Sequence, residues 1–416
     1  MFDFSPPPAA DALKITRRLQ AEGFTAYFAG GCVRDGLLGR PPKDFDVATD
    51  ATPDSVRAIF GQRRTLAFGA SFGVIGVQGT APQPTEVATF RHDGTYSDGR
   101  RPDHVRFGTA EEDALRRDYT INGLFYDPVQ DQVIDYVGGR TDLAQRLIRA
   151  IGDPRLRIGE DKLRMLRAVR FAAALGFAID PLTAAAIRAA ADEVTVTSGE
   201  RIGAEMRRML GNAGAAIAIE LLADTGLLKP VWPGLEDSPE ALQRAVRLAG
   251  AIQPPDFAVC VAAVLAASAT DPAKSIQQLS QHWKWSTDER KAIELAVRHR
   301  ETLLAADAQP WSVIQPLLML PQRDTLLDLA EAWAIATGSS AAGVQHCRQR
   351  LATWSTERLD PPPLLTGDQL IAMGYRPGRS FKQVLQTVRD QQLDGQLDSA
   401  AEAAALAQRM LGIVER

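Results

Sequence analysis

Near Gly152 the chain changes character, and that break limits what it can fold into more than any other feature. Between residues 24 and 150, short β-branched runs punctuated by glycine alternate with helix signals. Beyond Gly152, Ala and Leu dominate and strand signals vanish. One small sheet with attendant helices, followed by an all-helical remainder in two or three packed units, is the expectation: an α+β chain. Strands are expected in "TAYFAG" (25–30), "FDVAT" (45–49), "ASFGVIGVQG" (70–79), "PTEVATF" (84–90), "INGLFYDP" (121–128) and "QVIDYVGG" (132–139). Helices are expected over 11–22, stopped by Gly23, and after Thr52, an N-cap with Pro53 in the first turn. "DPRLRIGEDKLRMLRAVRFAAALGF" (153–177) reads as one long helix ended by Gly176. The polar stretch "RHDGTYSDGRRPDH" (91–104) reads as a mobile loop, and "TERLDPPPLLTGDQL" (356–370) as a linker.

With 45% apolar and 24% charged residues, the composition of the 416-residue chain is that of an ordinary globular protein. No eighteen-residue apolar run predicts a membrane span, and "MFDFSPPPAADALK" lacks the basic start and apolar core of a secretory signal. Cys32, Cys260 and Cys347 form no CxxC pair, so reduced thiols and a cytoplasmic location are expected. Five scattered histidines offer no zinc site. The net charge of −4 argues against a chain-wide nucleic-acid coat but hides a basic run. From Arg146 to Arg170 eight cations face only Asp153, Glu160 and Asp161; the run is either a solvated helix face or an anion site.

"GGCVRDGLLGRPPKDFDVATD" (30–50) concentrates the chemistry. Asp44 and Asp46 are one residue apart, so on a strand both side chains point to one face. Paired carboxylates there suit Mg²⁺, and metal held this way can serve phosphoryl transfer. Alone, such a pair is common in loops. Upstream, Gly30 and Gly31 bring bare backbone N–H groups to a strand-to-helix turn, and Arg34 lies one turn on. A phosphate cradle directly before a metal-binding pair describes a site for a nucleoside triphosphate as its Mg²⁺ complex.

GG-x-VRD followed by DxD resembles the class II tRNA nucleotidyltransferases, which add CCA to tRNA 3′ ends, and their bacterial poly(A) polymerase relatives. Downstream, in order, "RRDYTING" (116–123) is similar to that family's ribose-reading motif, "EDKLRMLRAVRF" (160–171) to its nucleobase-reading helix, and "SGERIGAEM" (198–206) to its helix-stabilising motif. The resemblance covers about residues 24–215. It implies a nucleotidyltransferase head (1–150), a helical neck that reads the base (151–215), a helical body (216–355) and a tRNA-binding tail (356–416). It also implies that Gly31 and Arg34 contact the nucleotide, that Asp44 and Asp46 carry Mg²⁺, and that Arg117 and Asp118 face the sugar with Asn122 in support. Asp161, Arg164, Arg167 and Arg170 would surround base and triphosphate. Glu86 stands where a third carboxylate is expected, or is an ordinary strand-edge glutamate.

The base-reading helix has its own physical logic. Asp161 and Arg164, three apart, can present side by side. A carboxylate accepts and a guanidinium donates, so the pair fits the amino group and ring nitrogen of cytosine or adenine. Uracil and guanine reverse that order and leave unpaired buried groups, at about 1–3 kcal/mol each. The other reading of the pair is an intrahelical salt bridge. The partners implied are tRNA, CTP and ATP, with neither membrane nor protein partner. An intact 91–104 loop points away from CC-only addition, and the lack of a basic cluster in "TLAFGASFGVIGVQG" points away from a poly(A) polymerase; A-only addition stays open. "PGRSFKQVL" (377–385) departs from the family's tail motif, and 256–271 carries no His-Asp pair, so no phosphohydrolase activity is expected. Trp283 and Trp285 either stack on RNA or pack between helices. A metal-dependent DxD glycosyltransferase is the reading from outside the family; it explains the aspartates but not the glycines and Arg34.

Overall fold

The computed structural model describes residues 3–69, 73–94, 104–235 and 238–414. The chain forms two compact units, Met1–Met209 with Ile217–Glu236, and Leu210–Ala216 with Asp237–Arg416. The first holds all the sheet. Its opening helix α1 (Pro7–Ala21) starts on two prolines, whose missing N–H groups need no partner in a first turn, and buries Ala9, Ala12, Ile15 and Leu19. There follow β1 (Ala26–Ala29), α2 (Gly31–Leu37), β2 (Asp46–Thr49), α3 (Pro53–Phe60), β3 (Thr65–Gly69), β4 (Val74–Val77) and β5 (Thr85–Thr89). Next come β6 (Arg91–Asp93), β7 (Val105–Phe107), α4 (Ala110–Leu115), β8 (Leu124–Asp127), β9 (Gln132–Asp135), α5 (Gly139–Ala144) and β10 (Leu147–Ile148). The unit continues through α6 (Pro154–Glu160), α7 (Leu163–Leu175), β11 (Ala178–Ile179), α8 (Pro181–Ala190) and α9 (Gly199–Leu210).

Seven strands make one sheet in the order β3-β4-β5-β2-β1-β8-β9, with only β2 and β5 parallel. Register decides which side chains share a face. Ala29 lies opposite Asp46 on β2 and Phe125 on β8, so these three point the same way. Ala29, Ala48, Phe90 and Phe125 pack under Ala110 and Ala114 of α4. The other face carries Phe28, Val47 and Tyr126, with Phe28 set against Phe45 and Tyr126.

Most strands fall where the pattern put them, including the β4–β5 pair. Four differences have physical causes. The long helix expected over 153–177 is two, broken at Asp161–Lys162, where Asp161 is extended (φ −149°) and its carboxylate accepts from Leu163 N. A short acidic side chain competes with the helix for backbone donors, and Gly159 nearby adds low helix propensity. The region beyond 150 is not wholly helical, since β11 pairs in parallel with β10. The expected 91–104 loop begins as a strand, β6, which pairs antiparallel with β7 just beyond the loop's other end; its residues 95–103 lie outside the described residues. The triple-proline stretch is packed, not a free linker: Pro361 and Pro362 carbonyls accept from Arg389 and Gln392, and Leu359 and Leu365 are buried.

In the second unit, the helix Phe257–Ser268 is buried along Val259–Leu265 and packs among Pro239–Ala251, Thr287–Leu304 and Arg323–Thr337. Trp283 is fully buried against Phe257 and Trp285, so it packs between helices. A separate core of Leu370, Phe381, Val384, Val388, Ala403 and Ala407 joins Gly367–Ala372, Arg379–Leu393 and Ala400–Val414. No helix among the described residues is long and apolar enough to cross a membrane.

Candidate active site

Two carboxylates share the Ala29 face of the sheet, and a third lies near them. Asp46 opens β2, and the parallel register of Val47 with Val87 sets Glu86 level with it on the same face. Asp44 is exposed and lies two residues before the strand, not on it as expected. Asp44 and Glu86 still sit close enough to act on Asp46. Burial pushes the Asp46 carboxyl up, the charges of Asp44 and Glu86 push it further, and Arg117 only partly offsets them, leaving it at about 7. Cys32 lies beneath, buried and bonded to the Ala29 carbonyl; burial and Asp46 hold its thiol up at about 12, so it is a filler and not a nucleophile.

Gly30 connects β1 to α2 with φ 71°, a conformation that L side chains rarely adopt. A Cβ there would stand 3.0 Å from Nη1 of Arg117. Arg117 stacks on Phe125 at 5.0 Å, donates to the Asn122 carbonyl at 3.1 Å and is gripped by Asp113 through Nε and Nη2 at 3.1 and 3.0 Å. Asp113, almost fully buried, also holds Arg116. Burial opposes its ionisation, but Arg117 and Arg116 outweigh that and keep its carboxyl below the usual range.

A second network runs from α2 to α7. Arg34 donates to Oδ1 of Asn122 at 2.7 Å, and Asn122 donates to Asp118 at 3.1 Å. Asp118 accepts from Nε of Arg167 at 2.7 Å and from the Tyr119 N–H at 2.8 Å. Burial works against the Asp118 charge, but Arg167, Asn122 and Tyr119 N–H win and hold the carboxyl at about 2. Three guanidiniums surround the Phe171 ring, Arg170 at 4.1 Å, Arg167 at 5.3 Å and Arg34 at 5.4 Å from its centroid.

The structure thus links Arg34, Arg117, Asp118, Asn122 and Arg167, with Arg170 at the Phe171 ring. It does not join Asp161 to Arg164. Asp161 is held by Arg201 through both oxygens, at 3.1 and 2.7 Å, and Arg164 pairs with Glu160 and donates to the Arg157 carbonyl at 2.8 Å. Most of the basic run is no solvated face, although Arg146 and Arg155 are exposed. Arg149 pairs with Asp142 and Asp180, Lys162 with Glu193, Arg167 with Asp118, and Arg170 with Glu205. Sequence reasoning missed Asp113, Arg201 and Glu205. Asp113 was legible, being three and four residues before Arg116 and Arg117. Arg201 and Glu205 lie inside "SGERIGAEM" (198–206), but they stand 40 and 35 residues from their partners, so that motif does not say which side chains they hold.

Residues 26–149 match the poly A polymerase head domain, and residues 176–238 match the probable RNA and SrmB-binding site of polymerase A. A CCA-adding enzyme of Levilactobacillus brevis is 32% identical over 401 residues, covering 95% of this chain and 96% of that one. The chain belongs to the class II CCA-adding enzyme and poly(A) polymerase family. This family membership extends to architecture: the Bacillus stearothermophilus CCA-adding enzyme in complex with CTP superimposes with a TM-score of 0.81 at 30% identity, over 99% of each chain. Similarity is concentrated in part of the chain; a CCA-adding enzyme of Geobacillus thermodenitrificans is 46% identical over 242 residues, 58% of each protein. Nucleotide transfer in this family is generally metal-dependent. Among the described residues no three His, Cys, Asp or Glu side chains are arranged to hold a metal ion. Asp46 nevertheless fits one, because a carboxyl raised to about 7 by burial and by two neighbouring acids gains from a nearby cation.

Proposed function

We propose that the chain is a template-independent RNA nucleotidyltransferase that adds C and A, from CTP and ATP, to the 3′ end of tRNA. The observation carrying this is Asp46, crowded by Asp44 and Glu86, on the same sheet face as the ring of Phe125 on which Arg117 stacks. Asp44 and Asp46 would hold Mg²⁺, which takes one or two carboxylates and completes its shell with phosphate and water. Bound there, the ion supplies charge neutralisation at the reacting phosphate. The chain's own residues align and neutralise. Gly30, Gly31 and Arg34 receive the triphosphate, while Arg117, Asp118 and Asn122 face the sugar. Arg167 and Arg170 add positive charge, kept oriented by Asp118 and Glu205. The RNA 3′-hydroxyl attacks the α-phosphorus and pyrophosphate leaves, with no covalent enzyme intermediate.

Base choice falls to Asp161 and Arg164, from either side of the break between α6 and α7. Arg201 and the Leu163 N–H together use three of the about four lone pairs on the Asp161 carboxylate, so one remains to accept an amino hydrogen of cytosine or adenine. Arg201 is therefore a positioning residue. The three cysteines are free and buried, which suits the reducing cytoplasm where tRNA is processed.

Incubating the chain with labelled CTP, ATP or UDP-glucose, with and without tRNA lacking its last three nucleotides, tests the reading. CTP and ATP incorporation into tRNA is expected; sugar transfer, or RNA binding without turnover, refutes it. Sequencing the products separates CCA from A-only or poly(A) addition.

A further inference from the structure

Asp113 holds two neighbouring arginines whose branches lead to different parts of the proposed site. It sits on α4, whose Ala110 and Ala114 pack on the Ala29 face of the sheet, and its side chain is almost wholly buried. Each of its oxygens takes a whole guanidinium fork. Oδ1 accepts from Nε and Nη2 of Arg116 at 2.8 and 2.6 Å, and Oδ2 accepts from Nε and Nη2 of Arg117 at 3.1 and 3.0 Å. Oδ1 also accepts from the N–H of Arg91, the first residue of β6, at 3.3 Å. A carboxylate has about four lone pairs, so these donors saturate it and leave no acceptor for a ligand. Whatever Asp113 does for a nucleotide it does through its arginines.

The Arg117 branch ends at the guanidinium that faces the sugar. Asp113 takes its Nε and one Nη2 hydrogen, the Asn122 carbonyl takes one from Nη1 at 3.1 Å, and the Phe125 ring lies 5.0 Å from its carbon. The remaining hydrogens on Nη1 and Nη2 can meet a ligand, and the plane they lie in is set by these partners. The Arg116 branch runs through the backbone. Arg116 closes α4, and its carbonyl accepts from Nη1 of Arg157 at 3.3 Å and from Nη2 of Arg164 at 3.4 Å. Arg157 also donates from Nη2 to the preceding carbonyl, that of Leu115, at 2.7 Å. Tethering the Arg116 side chain therefore fixes the carbonyl on which Arg164 rests. An amide at position 113 keeps the shape but offers one acceptor and one donor. One of the two guanidiniums would then face an N–H where it now meets an oxygen, in a site with almost no water to take its place.

We propose that Asp113 is a positioning residue that holds the sugar-facing Arg117 and, through Arg116, the base-reading Arg164 in one frame, so that nucleotide affinity and base choice depend on the same buried carboxylate. The inference rests on the reading that the chain adds C and A to tRNA. It is tested on the full chain by steady-state extension of tRNA lacking its last three nucleotides, and by competition among the four triphosphates. Asp113→Asn is expected to raise the KM for CTP by about tenfold with a smaller change in kcat, and to raise UMP and GMP incorporation relative to CMP and AMP by about fivefold. Arg116→Ala cuts only the second branch; it is expected to relax base choice with a smaller rise in KM, and it keeps the test open where Asp113→Asn fails to fold. Asp11→Asn is the control for stability alone, because Asp11 is likewise buried but is held by Thr80 and Ala81. It is expected to lower the melting temperature while KM and base choice stay at the wild-type values. Unchanged KM and base choice in a folded Asp113→Asn overturn the proposal, as do equal shifts in Asp11→Asn. A raised KM with base choice intact in both Asp113→Asn and Arg116→Ala overturns the coupling. A wild-type chain that adds neither C nor A to tRNA removes the underlying reading and this one with it.

Discussion

At Asp46 the fold places negative charge on negative charge. Burial and two acidic neighbours would destabilise this position unless something else used the charge, and a phosphate-bound cation is the use proposed for it. Asp46→Asn keeps the shape and removes the charge. It is expected to lower nucleotide addition by at least about a thousandfold, a loss of roughly 4 kcal/mol of transition-state stabilisation, while tRNA affinity stays within about twofold. Primer extension and anisotropy check the two halves, and normal turnover would remove the metal assignment. Asp161→Ala addresses a different step. Without its acceptor the base pocket loses its reason to prefer an amino group, so UMP and GMP incorporation should rise relative to CMP and AMP by about tenfold, worth about 1.4 kcal/mol. Competition among the four triphosphates reads this directly. The acids and arginines themselves were legible in the sequence, because spacing and charge mark them. Their partners were not. Which acid grips Arg167 or Arg170 depends on the packing of segments that lie 49 and 35 residues apart in sequence.

Among elements, the turn from β1 into α2 and the break between α6 and α7 set the site. The first was legible: Gly30 follows a strand, opens a helix and has φ 71°. Gly30→Ala forces a side chain into that conformation, at about 1–3 kcal/mol, and brings its Cβ to 3.0 Å from the tip of Arg117. The guanidinium can yield, so the damage falls on its bond to the Asn122 carbonyl more than on the fold. We expect a melting temperature lower by several degrees and a KM for CTP higher by about tenfold, with the larger effect on KM; an unchanged KM would detach this turn from the nucleotide. The second element was misread because helical periodicity continues straight through the break. Glu160, Arg164, Arg167 and Phe171 keep a helical spacing, yet Asp161 leaves the helix to accept from Leu163 and Arg201. Apolar periodicity registers which residues face a core and not whether the backbone between them stays hydrogen-bonded. The small strands β6, β7, β10 and β11 escaped for a related reason, each being two or three residues long and too short for any alternation to show.

For the whole molecule, acid sensitivity divides unequally between the two units. Asp11, Asp113 and Asp118 all lie in the first unit, and each has its carboxyl held below the usual range although burial opposes it. Asp11 owes this to the Ala81 and Thr80 donors, Asp113 to Arg117 and Arg116, and Asp118 to Arg167. A carboxyl whose folded pKa is depressed adds stability that is fully present above its unfolded value near 4 and is lost as pH falls through the folded one. For Asp118, lowered from 3.8 to about 2, that contribution is about 2 kcal/mol. In the second unit Asp328 moves the other way, raised by burial, as Asp46 is in the first, so acid relieves it, and the lowered Glu240 there is an exposed side chain. The first unit should therefore loosen first as pH falls from about 4 to about 2. Five of the six tryptophans lie in the second unit, so their fluorescence reports mainly on it. Hydrogen exchange along β1, β2, β5 and β8 is expected to rise at a pH where tryptophan fluorescence is still native. In Asp118→Asn that rise should begin from a less stable unit and depend less steeply on pH, because one proton fewer is taken up on unfolding. Coincident transitions by both probes, with the same slope in the variant, would mean that the ion pairs around Arg117 and Arg167 do not govern the stability of the first unit.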